Sequence, residues 1–166
     1  MTDEDNAIVI TCPLPDTAKV TSLLGMLFDG LEVKPGGAFD RSPVGGAWVG
    51  VFVADCGKPI ALCGTDLSLS ASFGAALSML PPAAVKEAVK SRELSGFMID
   101  NLREIMNVST RLLMSDMSTH LKLQQIYPAK ELPAPIAELL RGTAAHAEFT
   151  LQVPRYGGGV LTLLTI

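Results

Sequence analysis

Short apolar runs rich in Val, Ile and Leu occur near both ends of the chain and predict β-strands. The runs AWVGVFVA and PIALCG are separated only by DCGK, so these two strands are expected to form a hairpin. AEFTLQV and VLTLLTI flank PRYGGG and predict a second hairpin with a longer loop. HLKLQQIYP alternates apolar and polar residues, as a half-buried strand does. The predicted strands cover 7–12, 47–54, 59–64, 120–128, 147–153 and 160–166.

Apolar residues recur at helical spacing between these strand-like runs. Asp16 is placed as the N-cap of a first helix and Gly30 as its left-handed end. Pro81 and Pro82 divide a second helix from a third. The stretch 92–116 has no internal proline and one broad apolar face, which predicts a single long helix. The predicted helices cover 17–29, 65–80, 82–90 and 92–116, while 34–46 and 130–142 are expected to be connections, the second with one helical turn.

The order of the predicted elements is a helical middle flanked by strand pairs, without regular strand–helix–strand crossovers. This order predicts an α+β fold in which an antiparallel-rich sheet packs against helices on one face. With 166 residues, the chain is long enough for one domain with a core and leaves little room for two, so a single domain over 1–166 is expected. The apolar final strand, 160–166, is a candidate for edge pairing between two copies, and the alternative is an interior position.

Composition and charge argue against several classes of function. Apolar residues make up 48% of the chain and charged residues 18%, as expected of a globular protein. The net charge of −4 and the lack of a basic run argue against nucleic-acid binding. No apolar run approaches the roughly 18 residues that span a membrane, and the acidic N-terminus is unlike a secretory signal. The three separated cysteines suit reduced thiols, so a cytoplasmic location is expected.

Metal, nucleophile and phosphate-loop chemistry find little support in the residue pattern. His120 and His146 are far apart and have no ligand partner at a suitable spacing. Cys12 and Cys63 lie in apolar strand-like runs and are expected to be core residues, whereas Cys56 lies in a turn. A Ser–His–acid triad stays open, although no G-x-S-x-G elbow occurs. The glycines of PRYGGG lead into a strand rather than a helix, which indicates a turn and not a phosphate cradle.

A stripe of polar residues lies on the outer face of the predicted long helix. At about 100° per residue, Glu104 lies roughly 40° and Asn107 roughly −20° from Asp100, while apolar side chains cover the arc from roughly 80° to 240°. Asp100 and Glu104 are like charges four residues apart, which disfavours a helix slightly, and asparagine is a mediocre residue for the middle of a helix. These features favour a functional surface; the alternative is an ordinary solvated helix face.

The stripe has the pattern acid-x3-Glu-x2-Asn, with Asp100, Glu104 and Asn107 at its three defined positions. On a long helix this pattern resembles the signature of the CheC/CheX/FliY family of chemotaxis phosphatases. In that family a proline follows the motif asparagine at some distance, and Pro128 stands close to that place. From residue 47 to the C-terminus, the order of a hairpin, a helix, the motif helix and closing strands looks like CheX.

The resemblance implies a CheX-like sandwich fold and a role in two-component signalling. The implied reaction is hydrolysis of the aspartyl phosphate on the receiver domain of a response regulator such as CheY. Asn107 would orient the attacking water, Glu104 would engage the active-site lysine of the receiver, and Asp100 would help the contact. The chain would need no cofactor of its own, because the receiver would supply the Mg²⁺. The resemblance also implies a homodimer.

The residues after Asn107 depart from the family pattern. CheX-like sequences carry small residues there, often Gly then Asn, whereas this chain reads VSTR. On the same helical wheel Arg111 lies about 20° from Asp100, one turn beyond Asn107. There it would clash with a docking partner, or pair with Glu104 or with the acidic pocket of the partner. A non-catalytic CheX-like module that docks on a receiver or a signalling assembly is therefore the alternative function. An unrelated α+β protein with a chance motif is the third.

Overall fold

One antiparallel sheet is the framework of the computed structural model, which describes residues 12–142 and 145–166. Its six strands are β1 (Glu32–Pro35), β2 (Trp48–Val53), β3 (Pro59–Thr65), β4 (Lys122–Pro128), β5 (His146–Val153) and β6 (Gly157–Thr165). They follow the order β1-β5-β6-β3-β2-β4, and every neighbouring pair is antiparallel. The predicted strand at 7–12 lies outside the described residues except for Cys12.

The final strand lies inside the sheet, so the interior position is the correct one of its two predicted alternatives. β6 is hydrogen-bonded to β5 on one side and to β3 on the other. Leu163 faces one core cluster and Leu164 the other, so the strand is buried on both faces, which its continuous apolar run permits. Among the described strands, β4 and β1 are the outermost. The apolar pattern did not predict β1, a strand of four residues that is recognised by its pairing with β5. The homodimer stays a prediction.

Helices cover both faces of the sheet. The helices are α1 (Thr17–Leu24), α2 (Leu67–Ala76), α3 (Ala83–Ser91), α4 (Gly96–Ser109) and α5 (Ala134–Arg141). The first four contribute to the larger core cluster on one face, whereas α5 packs Ile136 and Leu140 against the other. The expectation of helices on one face only is therefore wrong. Prolines around its first turn hide α5 in the sequence, although a helix tolerates proline there. The predicted α+β class and antiparallel sheet are confirmed.

α4 is shorter at both ends than the predicted helix over 92–116. Ser95 caps its start by accepting a hydrogen bond of 3.2 Å from a backbone N–H in the first turn. Before it, Arg92 ends α3 in the left-handed conformation, with a φ of 60°. After α4 the chain tightens into a 3₁₀ turn over Thr110–Leu113. The polar stripe therefore lies on a helix of 14 residues that continues into this turn.

Candidate functional site

The buried face of α4 and one buried amide fix the rotation of this helix. On this face Leu102 is completely buried and Ile105 almost completely. The side-chain amide of Asn101 donates hydrogen bonds to the carbonyl of Gly74 at 2.8 Å and to the hydroxyl of Ser78 at 2.9 Å. Leaving a buried amide without such partners costs about 1–3 kcal/mol, so these bonds resist rotation of α4 about its axis. The opposite face of the helix is held toward solvent.

Asp100, Glu104 and Asn107 are all exposed on that outer face. Asp100 accepts a hydrogen bond of 2.8 Å from Arg103, and their side chains are 73% and 48% exposed, respectively. Such an exposed ion pair contributes only about 0.2–1 kcal/mol. Among the described residues, no partner within the chain engages the carboxylate of Glu104 or the side-chain amide of Asn107. These two groups stand one turn apart, about 4.5 Å along the axis, and are available to another molecule.

The residues after Asn107 obstruct the stripe less than their types suggest. The hydroxyls of Ser109 and Thr110 are turned back to the carbonyls of Ile105 and Asn107, at 2.7 and 2.8 Å. Arg111 is exposed in the 3₁₀ turn. At about 120° per residue in that turn, it lies roughly 60° from Asp100 instead of 20°. Within 12–142 and 145–166 it forms no ion pair with Glu104. A direct clash over Asn107 is therefore less severe than the α-helical wheel predicts.

A cleft of about 550 Å³ borders the N-terminal half of α4. Leu94 and Ile99 line it on the helix side, and Trp48 and Pro128, which are paired across β2 and β4, line it on the sheet side. Two basic and two acidic residues also line the cleft. Pro128 therefore lies across this cleft from the motif helix and is not part of the polar stripe.

Phe97 is a residue of the outer face that sequence reasoning missed. Its side chain is 55% exposed at the second position of α4. On the helical wheel it lies roughly 60° from Asp100, outside the arc of the core residues. An aromatic residue outside the apolar arc was the available signal, but the wheel alone does not show whether a neighbouring element covers it.

The rival groups are accounted for elsewhere in the structure. His120 contacts Asp55 at 3.1 Å on the surface, and His146 lies exposed on β5. Burial raises the pKa of Cys63 to about 12 and raises that of Cys12 as well, which disfavours the nucleophilic thiolate. Within 12–142 and 145–166, no three His, Cys, Asp or Glu side chains are grouped as metal ligands. No helix in those ranges has both the length and the apolar character of a membrane span.

Asp66 is a partly buried acid with a structural role. Its carboxylate accepts hydrogen bonds from the backbone N–H of Leu69, at 2.8 Å, and of Val160, at 3.0 Å. Burial raises the pKa of Asp66, while the two hydrogen bonds oppose that shift. The carboxylate thereby caps α2 and ties it to β6, which begins at the glycine run of PRYGGG.

This chain shares its fold with FliY and with the FliM middle domain, which is the fold type of the CheC/CheX/FliY family. A chain of the FliM–SpeE complex from H. pylori has a TM-score of 0.59 at 10% identity, over 90% of this chain and 80% of its own. FliY of Thermotoga maritima has a TM-score of 0.57 at 11% identity, over 90% and 83%. The FliM middle domain from H. pylori has a TM-score of 0.52 at 9% identity, over 90% and 82%.

These likenesses concern the fold. No protein-family model matches the sequence, and the comparison with curated proteins finds no match. The fold family predicted from the motif helix is confirmed, but the likenesses do not distinguish a CheX-like chain from a FliM-like or FliY-like one. The roles predicted for Asp100, Glu104, Asn107 and Arg111 stay predictions.

Proposed function

We propose that this chain hydrolyses the aspartyl phosphate of a response-regulator receiver domain, with Glu104 and Asn107 as the catalytic pair. The observation that carries the proposal is a carboxylate and an amide one turn apart, both unengaged within the described chain, on the outer face of a helix fixed by its core. The fold shared with FliY supports it, because the residue pattern of the stripe resembles a phosphatase signature on the same kind of scaffold.

Positioning is the main contribution that these two side chains can make. The side-chain amide of Asn107 both donates and accepts hydrogen bonds, so it can hold a water in line with the acyl phosphate without taking its proton. The water oxygen forms a bond to phosphorus as the bond between phosphorus and the aspartate oxygen breaks. Inorganic phosphate and a free carboxylate result, with the protons of the water passing to phosphate and solvent.

The other groups of the outer face are assigned to docking. Glu104 would accept a charge-assisted hydrogen bond from the active-site lysine of the receiver, which fixes the register of the two proteins. Asp100 and Arg111 would contact the receiver at the rim, Arg111 beside the amide of Asn107 rather than over it. In this proposal the receiver brings the Mg²⁺ that neutralises phosphate charge, and this chain contributes no cofactor.

A docking module without catalysis is the second candidate. The observation that favours it is the exposed Arg111, since CheX-like sequences carry small residues near that position. FliM, which shares the fold, occurs in a complex with SpeE, so this scaffold does serve protein binding in another protein. In this case the same face would bind an activated receiver and leave its phosphate lifetime unchanged.

The proposal is tested by the lifetime of phosphate on a panel of purified, phosphorylated receiver domains. The wild-type chain should shorten the lifetime on its cognate receiver, and Asn107→Ala should reduce the acceleration by about 100-fold or more. Gln125→Ala, which removes an exposed amide on β4, is the matched control and should keep full activity. Unchanged lifetimes with every receiver of the organism would refute the enzymatic proposal.

Arg111→Gly separates the two candidates. If the chain is a phosphatase, this variant should keep the acceleration of the wild type or increase it. The wild-type chain could bind an activated receiver without shortening its phosphate lifetime. If Arg111→Gly then gains activity, the arginine blocks catalysis sterically. Binding with no activity in either variant would support the docking module and remove the steric explanation.

A further inference from the structure

Phe97 stands apart from the other aromatic residues of the described chain. It is 55% exposed, whereas the remaining aromatic side chains in 12–142 and 145–166 are buried or half-buried. An exposed phenylalanine offers a large apolar area whose burial by another molecule is favourable. The ring is therefore a candidate contact for a partner.

The start of α4 does not depend on Phe97. Leu94 and Ile99 occupy the two positions around the cap residue Ser95 that typically form a hydrophobic staple, and both line the same cleft. Met98 supplies the buried contact to α2. Phe97 belongs to neither core cluster. Its ring is therefore not part of the core that holds α4 in place.

The ring lies on the same face as the polar stripe. On the wheel Phe97 is within roughly 20° of Glu104, and it precedes that residue by two turns, roughly 10 Å along the axis. Asp100 lies between them, one turn from each. An apolar side chain thus continues the line formed by Asp100, Glu104 and Asn107.

The polar groups of this face give orientation but little affinity. The carboxylate of Asp100 is already paired with Arg103, and both side chains are largely exposed. Protein interfaces gain most of their binding free energy from a few side chains, often aromatic, that become buried beside such polar contacts. Glu104 forms no ion pair within the described residues, so a cation on the opposing surface would compensate for the loss of its water at an interface. The complementary surface is therefore an apolar patch next to a basic group.

We propose that Phe97 is the apolar anchor by which α4 docks on the receiver, so that it sets affinity while Asn107 sets the rate of hydrolysis. This inference rests on the proposed function and names the partner surface more closely: an apolar patch on the receiver about two helical turns from its active-site lysine. Phe97 is a binding residue in this assignment and takes no part in the chemical step.

The test compares Phe97→Ala, Phe97→Leu and Asn107→Ala in two measurements. Affinity is measured on receivers activated with beryllium fluoride and Mg²⁺, and KM and kcat are measured with phosphorylated receivers. Phe97→Ala should weaken binding and raise KM about tenfold or more, with kcat within about twofold of wild type. The affinity and KM of Phe97→Leu should lie between those of wild type and Phe97→Ala. Asn107→Ala should lose kcat and keep its affinity. Met26→Ala, at a site that is 73% exposed after α1, is the control and should match wild type.

The outcomes separate this inference from the proposed function. Wild-type affinity in Phe97→Ala, together with lost activity in Asn107→Ala, would overturn the anchor and leave the phosphatase standing. A fall in kcat at unchanged KM in Phe97→Ala would also overturn it, because the ring would then act in catalysis. If no receiver binds the wild-type chain, both are overturned. Circular dichroism of both Phe97 variants shows whether they are folded, and Phe97→Leu carries the test if Phe97→Ala is not.

Discussion

The close approach of α2 to α4 makes Gly74→Ala the most informative change to the scaffold. A Cβ added at Gly74 would lie 2.8 Å from the Cβ of Met98, 2.9 Å from its carbonyl oxygen and 3.1 Å from its Cα. Carbon atoms pack favourably at about 3.5–4.0 Å, so the two helices would have to separate by roughly 0.7 Å. The obstacle includes backbone atoms, which cannot move aside as the end of a flexible side chain can.

Several effects combine in this variant, and overpacking dominates. Forcing a methyl into a well-packed contact costs about 1–3 kcal/mol. Separation of the helices also stretches the hydrogen bond of 2.8 Å from Asn101 to the carbonyl of Gly74, which contributes about 0.5–1.5 kcal/mol. Replacing glycine by alanine inside a helix by itself stabilises the folded state by about 0.5–1 kcal/mol, which offsets part of this loss. We therefore expect Gly74→Ala to lower the free energy of unfolding by about 2 kcal/mol.

Denaturant unfolding followed by circular dichroism measures this change. The midpoint should fall at an unchanged m-value, and the melting temperature should drop by about 4–8 °C for a chain of this size. Gly96→Ala is the matched control, because it lies in α4 and a Cβ there meets nothing within 4 Å. It should be as stable as wild type or up to about 1 kcal/mol more stable. A Gly74→Ala protein as stable as Gly96→Ala would refute the argument that close packing at Gly74 positions α4.

Two further predictions concern titratable groups. Burial raises the pKa of Asp66, so its carboxyl group binds a proton more tightly in the folded chain than in the unfolded one. The stability that this proton contributes is present below the ordinary pKa of 3.8 and is lost as pH rises through the raised pKa. The unfolding free energy of wild type minus that of Asp66→Asn should therefore fall with pH in that interval, and a rise would contradict the sign. A thiol reagent at pH 8 should modify exposed Cys56 in the folded protein but spare buried Cys63, whose pKa is about 12, until denaturant is added. Equal labelling rates of the two thiols in the native state would contradict this difference.

The outer face of α4 was predictable because it depends on local geometry. Asp100, Glu104 and Asn107 share a side through the period of the helix, and the core residues Leu102 and Ile105 share the other. The ends of the helix were not predictable in the same way. The apolar spacing continues beyond Ser109, but the serine and threonine hydroxyls and the 3₁₀ turn change the direction in which Arg111 projects.

The position of a strand in the sheet is hardest to predict where its apolar pattern is continuous. The sequence of β6 suits an edge that is covered by a second copy as well as it suits the middle of a sheet, and only its pairing with β3 and β5 decides between them. α5 was hidden by prolines that lie around its first turn. Its packing of Ile136 and Leu140 against the second face of the sheet reveals it as a helix.

The sequence by itself determined the α+β class, most of the strands and helices, and the polar stripe with its acid, glutamate and asparagine. These follow from periodicity, which is a property of residues close together in the chain. The tertiary structure alone decided the strand order, the second helical layer, the position of Arg111 and the exposure of Phe97. Strand neighbours and burial depend on which faces of distant segments meet, and many different pairings are compatible with the same local pattern.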